Sequence, residues 1–251
     1  TSRSRSALLA WSRESRSPLS PAAPASSFLG VSTKTMPNYK SPKDLKGKRI
    51  GVTAPGSSTN MLFNFFLAKH GMNASDVSFV GVGASAGAVA AMRSGQIDAI
   101  SNLDPVISLL EASNDIKVVL DTRTLKDTID VFGGNMPAGC LYLPIDYIKE
   151  NPNTVQALVN AMVRADKWIQ RAGSEGVAAA VPTSYLLGDP AVYKMSVKRS
   201  LEGLSPNGKM PDGGPETALR VLTTFKPGLA KSNIDLSKTW TSVFVDKANK
   251  G

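Results

Sequence analysis

Serine, threonine and glycine supply most of the chemistry that this sequence can offer. Gly56-Ser57-Ser58-Thr59 stands at the head of an apolar run with helical spacing. The first N–H groups of a helix lack intrahelical partners, and the helix dipole favours negative charge at that end. Ser57, Ser58 and Thr59 therefore suit a sulfonate, carboxylate or phosphate, although plain N-capping by Ser58 or Thr59 accounts for the same residues as well. No Gly-Lys-Ser/Thr follows, so this is not a P-loop. Gly81-Val-Gly-Ala-Ser-Ala-Gly87 is glycine-rich like a dinucleotide loop. It follows a second strand, however, and no acidic residue is suitably placed after the next one. We read it as a loop where a ligand can approach the backbone, with Ser85 at its end. Ser101-Asn-Leu-Asp-Pro105 closes a third strand. Asn102 and Asp104 either hydrogen-bond a polar ligand or form an Asp-Pro turn that opens the next helix.

Catalytic groups are sparse. The chain has one histidine, His70, and one cysteine, Cys140. A serine nucleophile needs a base within reach, and His70 lies a full helix away from Ser57 and Ser58. Asp98 and Asp104 have no supporting acid/base pattern. With no HExxH or CxxC, neither a metal nor a cofactor is expected, and Cys140 cannot form an internal disulfide. The expectation is a protein that is not an enzyme.

The elements that must position these loops follow from pattern. Strands are expected at Arg49–Thr53, Val77–Val82, Ile97–Ser101 and Lys117–Leu120, with Cys140–Leu143 closing the sheet. Helices are expected at about 59–69, 85–94 and 105–111. Leu62, Phe63, Phe66 and Leu67 mark the apolar stripe of the first, and His70-Gly71 ends it. Alternating strands and helices with short links imply a mostly parallel, helix-covered sheet. Ligands on such sheets bind outside the carboxyl ends of the strands, which is where the three loops fall. Beyond Pro144 the pattern turns helical. Val155, Leu158, Val159, Met162 and Ile169 stripe a long helix capped by Asn153, and shorter helices are expected near 175–180, 190–202, 214–224 and 235–248.

At 251 residues the chain can bury a substantial core, and 42% hydrophobic with 20% charged residues is ordinary for a globular protein. A net charge of +9 raises the question of nucleic acid. The lysines are mostly scattered and carry no interleaved aromatics, so a solvated basic surface is the reading and no nucleic-acid partner is expected. Residues 1–27 are rich in Arg, Ser, Pro and Ala and too poor in apolar residues to offset ordering entropy. Leu8-Leu9-Ala10-Trp11 is too short for a signal-peptide core, so no signal peptide is visible. The segment reads as a fragment, or an altered frame, joined to a normal sequence beginning near Phe28.

Several motifs then resemble one family. They are Asp44-Leu-Lys-Gly-Lys-Arg-Ile-Gly-Val-Thr53, Pro55-Gly-Ser-Ser-Thr59, Ala91-Met-Arg-Ser-Gly-Gln-Ile-Asp-Ala-Ile100 and Ile148-Lys-Glu-Asn-Pro-Asn-Thr-Val-Gln-Ala-Leu158. In order and spacing they are similar to the substrate-binding proteins of the nitrate, sulfonate, taurine and thiamine-precursor ABC importers, across roughly residues 28–248. The resemblance implies an α/β, periplasmic-binding-protein-like fold of two lobes around a cleft. It implies a small anionic or zwitterionic ligand, an ABC permease partner and a periplasmic or cell-surface location, and we expect a monomer. It also places Ser57, Ser58 and Thr59 at the ligand's anionic end, and Asn102 and Asp104 in a loop facing the cleft. The family's first lobe is built by a longer stretch before Asp44 than this chain carries. The expectation is therefore a disordered or loosely packed 1–40, one mixed-sheet ligand-binding lobe over 41–145, and helices over 146–251 supporting the hinge and an incomplete first lobe. Two rivals share the fold: the thiamine-pyrimidine synthases, whose cysteine-rich motif is missing here, and the effector modules of transcriptional regulators, whose helix-turn-helix is not found in residues 1–40.

Overall fold

The computed structural model describes residues 17–18, 27–225 and 227–250. Its centre is a five-stranded sheet in the order β4-β3-β5-β2-β6. The strands are β2 (Ser27–Ser32), β3 (Arg49–Val52), β4 (Ser78–Gly81), β5 (Ala99–Leu103) and β6 (Ile116–Leu120), while β1 (Ser17–Pro18) pairs in parallel with β7 (Trp240–Thr241). β3 is parallel to both β4 and β5, and β2 runs antiparallel to β5 and β6. The sheet is therefore mixed, with one reversed strand in an otherwise parallel set.

Helices cover both faces. α1 (Ser58–Lys69) lays Leu62, Phe63, Phe66 and Leu67 against Leu29, Val31, Ile50 and Val52. α2 (Ala86–Ser94) and α3 (Val106–Ala112) lay Ala88, Met92, Ile107 and Leu110 against Phe28, Ile97, Ile100 and Ile116. Alternate residues of β2 thus feed opposite cores, the period expected of a strand buried on both faces. Gly30 has no room for a side chain: a Cβ there would lie 2.6 Å from the Ile116 Cδ1.

Several expectations are corrected. Ser27–Ser32 falls within the 1–40 expected to be disordered or loosely packed, yet it is a fully buried strand between β5 and β6. The rest of that expectation, over residues 1–16 and 19–26, lies outside the described residues. Cys140–Leu143 is irregular backbone and closes no sheet, because β2 and β6 complete it. A helix not foreseen, α4 (Leu125–Phe132), follows β6, with Thr124 accepting from the Asp127 N–H as its N-cap.

Past an irregular link come α5 (Ile145–Glu150), α6 (Pro152–Ala180), α7 (Pro190–Ser200), α8 (Gly214–Phe225), the short α9 (Pro227–Ala230) and α10 (Val243–Ala248). The N-cap of α6 is Asn151, not Asn153, because Pro152 takes the first helical position, where its missing N–H costs nothing. The buried stripe of α6 is Val155, Val159, Val163 and Asp166, leaving Leu158 on the outer face. At Gly173 (φ 61°, ψ −168°) the helix breaks and changes direction. The expected helix at 235–248 divides into a 3-10 turn at Leu236–Lys238, then β7 and α10. α8 belongs to the α/β core, where Val221 packs in the α1 cluster and Arg220 Nη2 donates to the Phe132 carbonyl at 2.7 Å. α6 and α10 share a separate small core of Val159, Val163 and Val245.

Candidate functional site

The carboxyl ends of β3, β4, β5 and β6 all point the same way, and β2 begins at that end, with Ser27 opposite Leu103. A cleft of about 510 Å³ opens there. One wall is Ser27, Ser58 and Leu103–Pro105 from the α/β lobe; the other is Ile169 and Val177 of α6, Tyr185, and Tyr193, Ser196, Val197 and Ser200 of α7, with Leu204 beyond. Ala138 and Gly139 of the link complete the lining.

The six residues singled out from sequence divide sharply. Ser58, exposed in the first turn of α1, and Asp104 both line the cleft. Thr59 does not: it is fully buried, and its Oγ1 accepts the Thr53 N–H at 3.0 Å and meets the hydroxyls of Thr53 (2.9 Å) and Ser57 (2.8 Å). Ser57 is the N-cap, accepting from the Asn60 N–H. This network braces the β3–α1 turn, leaving Ser58 with its hydroxyl uncommitted. Asn102 is fully buried; its Nδ2 donates to the Gly83 carbonyl at 2.8 Å and its Oδ1 accepts the Leu103 N–H at 2.9 Å. It ties the ends of β4 and β5 together. Ser85 is exposed at the head of α2 without a side-chain cap bond and is not among the residues lining the cleft.

Asp104 is the polar centre of the cleft. Its Oδ1 accepts the Ser108 N–H at 3.0 Å, while Oδ2 is buried without a hydrogen-bond partner. Burial raises its pKa, against the pull of Ser108 and the nearby Arg123. Two further hydroxyls on the lining, Ser27 Oγ and Ser200 Oγ, also lack partners. The backbone of Ser27 is held on both sides by Thr122 Oγ1, which receives its N–H at 3.2 Å and donates to its carbonyl at 2.8 Å. Buried polar groups are nearly always paired, so unpaired ones clustered at one cleft mark where a ligand's polar atoms belong. Burial also raises the pKa of Tyr193, with Tyr185 close enough to add to the shift.

The helical wall was missed from sequence. Its signal was Tyr193, Ser196, Val197 and Ser200 at helical spacing, which places them on one face of α7. Cys140 lies beside the lining residues Ala138 and Gly139, and burial raises its pKa, disfavouring the reactive thiolate. His70 is exposed at the far end of α1 and stacks edge-on against Phe66 at 4.8 Å. Among the described residues no group of three or more His, Cys, Asp or Glu could hold a metal ion, and no helix is long and apolar enough to cross a membrane.

Residues 31–182 match the model of the NMT1-like family. The chain belongs to that family. A Brucella abortus family relative named as a binding protein is 28% identical over 171 residues, 68% of this chain and 48% of the relative. The chain thus spans about half the length of the curated relatives it matches. A solved Bordetella bronchiseptica protein is 60% identical, covering 97% of this chain and 77% of its own, with a TM-score of 0.93. The periplasmic sulfonate-binding protein SsuA of Methylobacillus flagellatus shares the fold at 23% identity and a TM-score of 0.65, covering 94% of this chain and 69% of its own. The same fold, at 15% identity, serves a periplasmic nitrate-binding protein of Synechocystis and the desulfurization enzyme DszB.

Proposed function

We propose that this chain is the solute-binding component of an ABC importer, holding a small anionic or zwitterionic solute in the cleft and presenting it to a membrane permease. The observation that carries this reading is the cleft itself, where a helix N-terminus, a carboxyl and unpaired hydroxyls converge between two walls. Ser58 and the first-turn N–H groups of α1 receive the acid end of the solute, and Asp104 with Ser27 takes its other polar end. Ser57, Thr59 and Asn102 act as positioning residues behind them, while Ser85 stands outside the cleft. The sulfonate- and nitrate-binding proteins among the structural neighbours, several of them periplasmic, support a sulfonate, nitrate or related nitrogen or sulfur compound as cargo and a periplasmic location; taurine as cargo and a cell-surface location are our own extension of that reading. The lobe runs from Ser27 to about residue 145 together with α8, and the remaining helices form the opposing wall.

An enzymatic reading on the same fold, as in DszB, needs an activated nucleophile. The elevated Cys140 pKa and the length of α1 between Ser58 and His70 weigh against it. The test is a thermal-shift screen of the purified chain against sulfonates, taurine, nitrate, carboxylates and pyrimidines. A ligand at about 100 times its Kd raises stability by roughly 2.7 kcal/mol, a plain shift in Tm. A cooperative melt that none of these classes moves would count against the proposal.

A further inference from the structure

The proposal leaves the charge pattern of the solute open, and the lining narrows it. Of the fifteen residues around the cleft, Asp104 alone bears a carboxyl, and no Lys, Arg or His is among them. The nearby cation, Arg123, is committed elsewhere. It pairs with Asp121 (2.6 Å) and Glu111 (3.2 Å), and its guanidinium lies 4.5 Å from the centre of the Phe28 ring. A bare oxyanion would meet the positive end of α1 but would also face a carboxyl, with no cationic side chain on the lining to offset it.

The unpaired atoms call for a donor. Asp104 Oδ2 is buried without a hydrogen-bond partner, although the Ser108 hydroxyl also acts on this carboxyl, and Ser27, only 1% exposed, leaves its hydroxyl, able to donate or accept, unpaired on the same wall. Buried acceptors are costly unless a partner supplies the proton. The lining also carries the apolar side chains of Leu103, Ile169, Val177 and Val197 beside the phenol rings of Tyr185 and Tyr193, and a volume of about 510 Å³ far exceeds what an inorganic ion fills.

We infer that the cleft selects an amphipathic zwitterion, its protonated nitrogen donating to Asp104, its single acid group at the Ser58 end of α1, and an apolar segment between them. This rests on the cleft being the solute site. Asp104 then sets specificity, and nitrate or an unsubstituted sulfonate is a poor ligand because each leaves Oδ2 unpaired and brings a like charge to it.

The test is calorimetric titration of the full chain with two matched pairs: taurine against ethanesulfonate, and 4-(aminomethyl)benzenesulfonate against 4-ethylbenzenesulfonate. The aminated member of each pair is expected to bind about 10- to 100-fold more tightly, the range for hydrogen bonds to charged groups. Asp104→Asn keeps an acceptor for the Ser108 N–H, so its Tm is expected to hold while the preference for the amine collapses to about threefold or less. Equal or tighter binding of the amine-free members overturns the zwitterion and leaves the cleft reading standing. A preference that survives Asp104→Asn overturns the role of Asp104. Val197→Trp, which fills the cleft, separates the two levels: it should abolish binding of all four compounds, and binding that persists overturns the cleft reading itself. Failure of all four to bind the unaltered chain overturns both.

Discussion

The two walls of the cleft are built to different standards. On the α/β side Phe63, Leu67, Ile50 and Leu29 are at most 1% exposed, and both faces of the sheet are covered. On the helical side α6 and α10 meet over Val159, Val163 and Val245, Leu158 and Trp168 stay 41% exposed, and Asp166 is buried with Oδ2 unpartnered. The polar groups assigned to ligand sit mostly on the first wall, and much of the apolar and aromatic surface sits on the second. A rigid wall fixes where charge must go, while a looser one can adjust to the body of what is bound. Local stability follows buried apolar contact, so the helical wall is where the chain should open first.

The sharpest way to break this contrast is to hollow out each wall in turn. Phe63→Ala should cost about 3–5 kcal/mol and lower the melt of the whole chain. Val163→Ala should cost about 1–2 kcal/mol, the transfer value of the carbons removed, and speed amide exchange in α6 and α10 while β3 and α1 stay protected. Uniform exchange in both variants would mean that the walls form one cooperative unit.

A smaller effect comes from the buried carboxyl. Burial pushes Asp166 up to about 6. A folded-state value above the unfolded one of about 3.9 means that the fold favours the neutral acid. The cost of Asp166 is therefore absent below about pH 4, grows through the interval to about 6, and is complete above it. Asp166→Asn should stabilise the chain by about 1–2 kcal/mol at pH 8 and by almost nothing at pH 3.5, read as Tm against pH. An equal gain at both values would trace the effect to packing instead of charge.

The smallest effect concerns the tie between the walls. Glu111 Oε2 accepts from Arg123 on one side and from Arg199 of α7 at 3.0 Å on the other. Arg199 and Glu111 are both partly exposed, so Glu111→Gln should cost under about 1 kcal/mol and become undetectable in high salt. A larger loss would show that the walls are coupled through this carboxylate.

The lobe was largely legible where short-range pattern decides structure. β3 to β6 and α1 to α3 fall within about two residues of their expected places, because each has an apolar period with its own stop signal. β2 was not legible. Its residues, Ser-Phe-Leu-Gly-Val-Ser, are few and include a glycine, and what makes them a strand is pairing with partners some 70 to 90 positions downstream. Cys140–Leu143 is the converse, a good strand sequence left without an edge to join. At the cleft, Ser58 and Asp104 could be found because strand ends attract ligands in such sheets. Thr59 and Asn102 have the same chemistry, yet neighbouring backbone and hydroxyl groups use it up. Hydrogen-bond accounting of that kind needs coordinates, and so did the meeting of α7 with α3.

Gly173 interrupts α6 between two residues that both line the cleft, Ile169 before it and Val177 after it. A straight helix presents a convex face, so one helix cannot ordinarily curl around a guest. The break turns α6 into a jointed wall that encloses the cleft from two directions. Its torsions lie in a region almost reserved for glycine, although a Cβ at that point would touch nothing within 4 Å. The curvature of the container is thus set by a backbone angle, and its chemistry by the side chains around it. The two can drift apart in evolution: one substitution at Gly173 would change the shape of the cleft without touching the polar groups on its α/β wall.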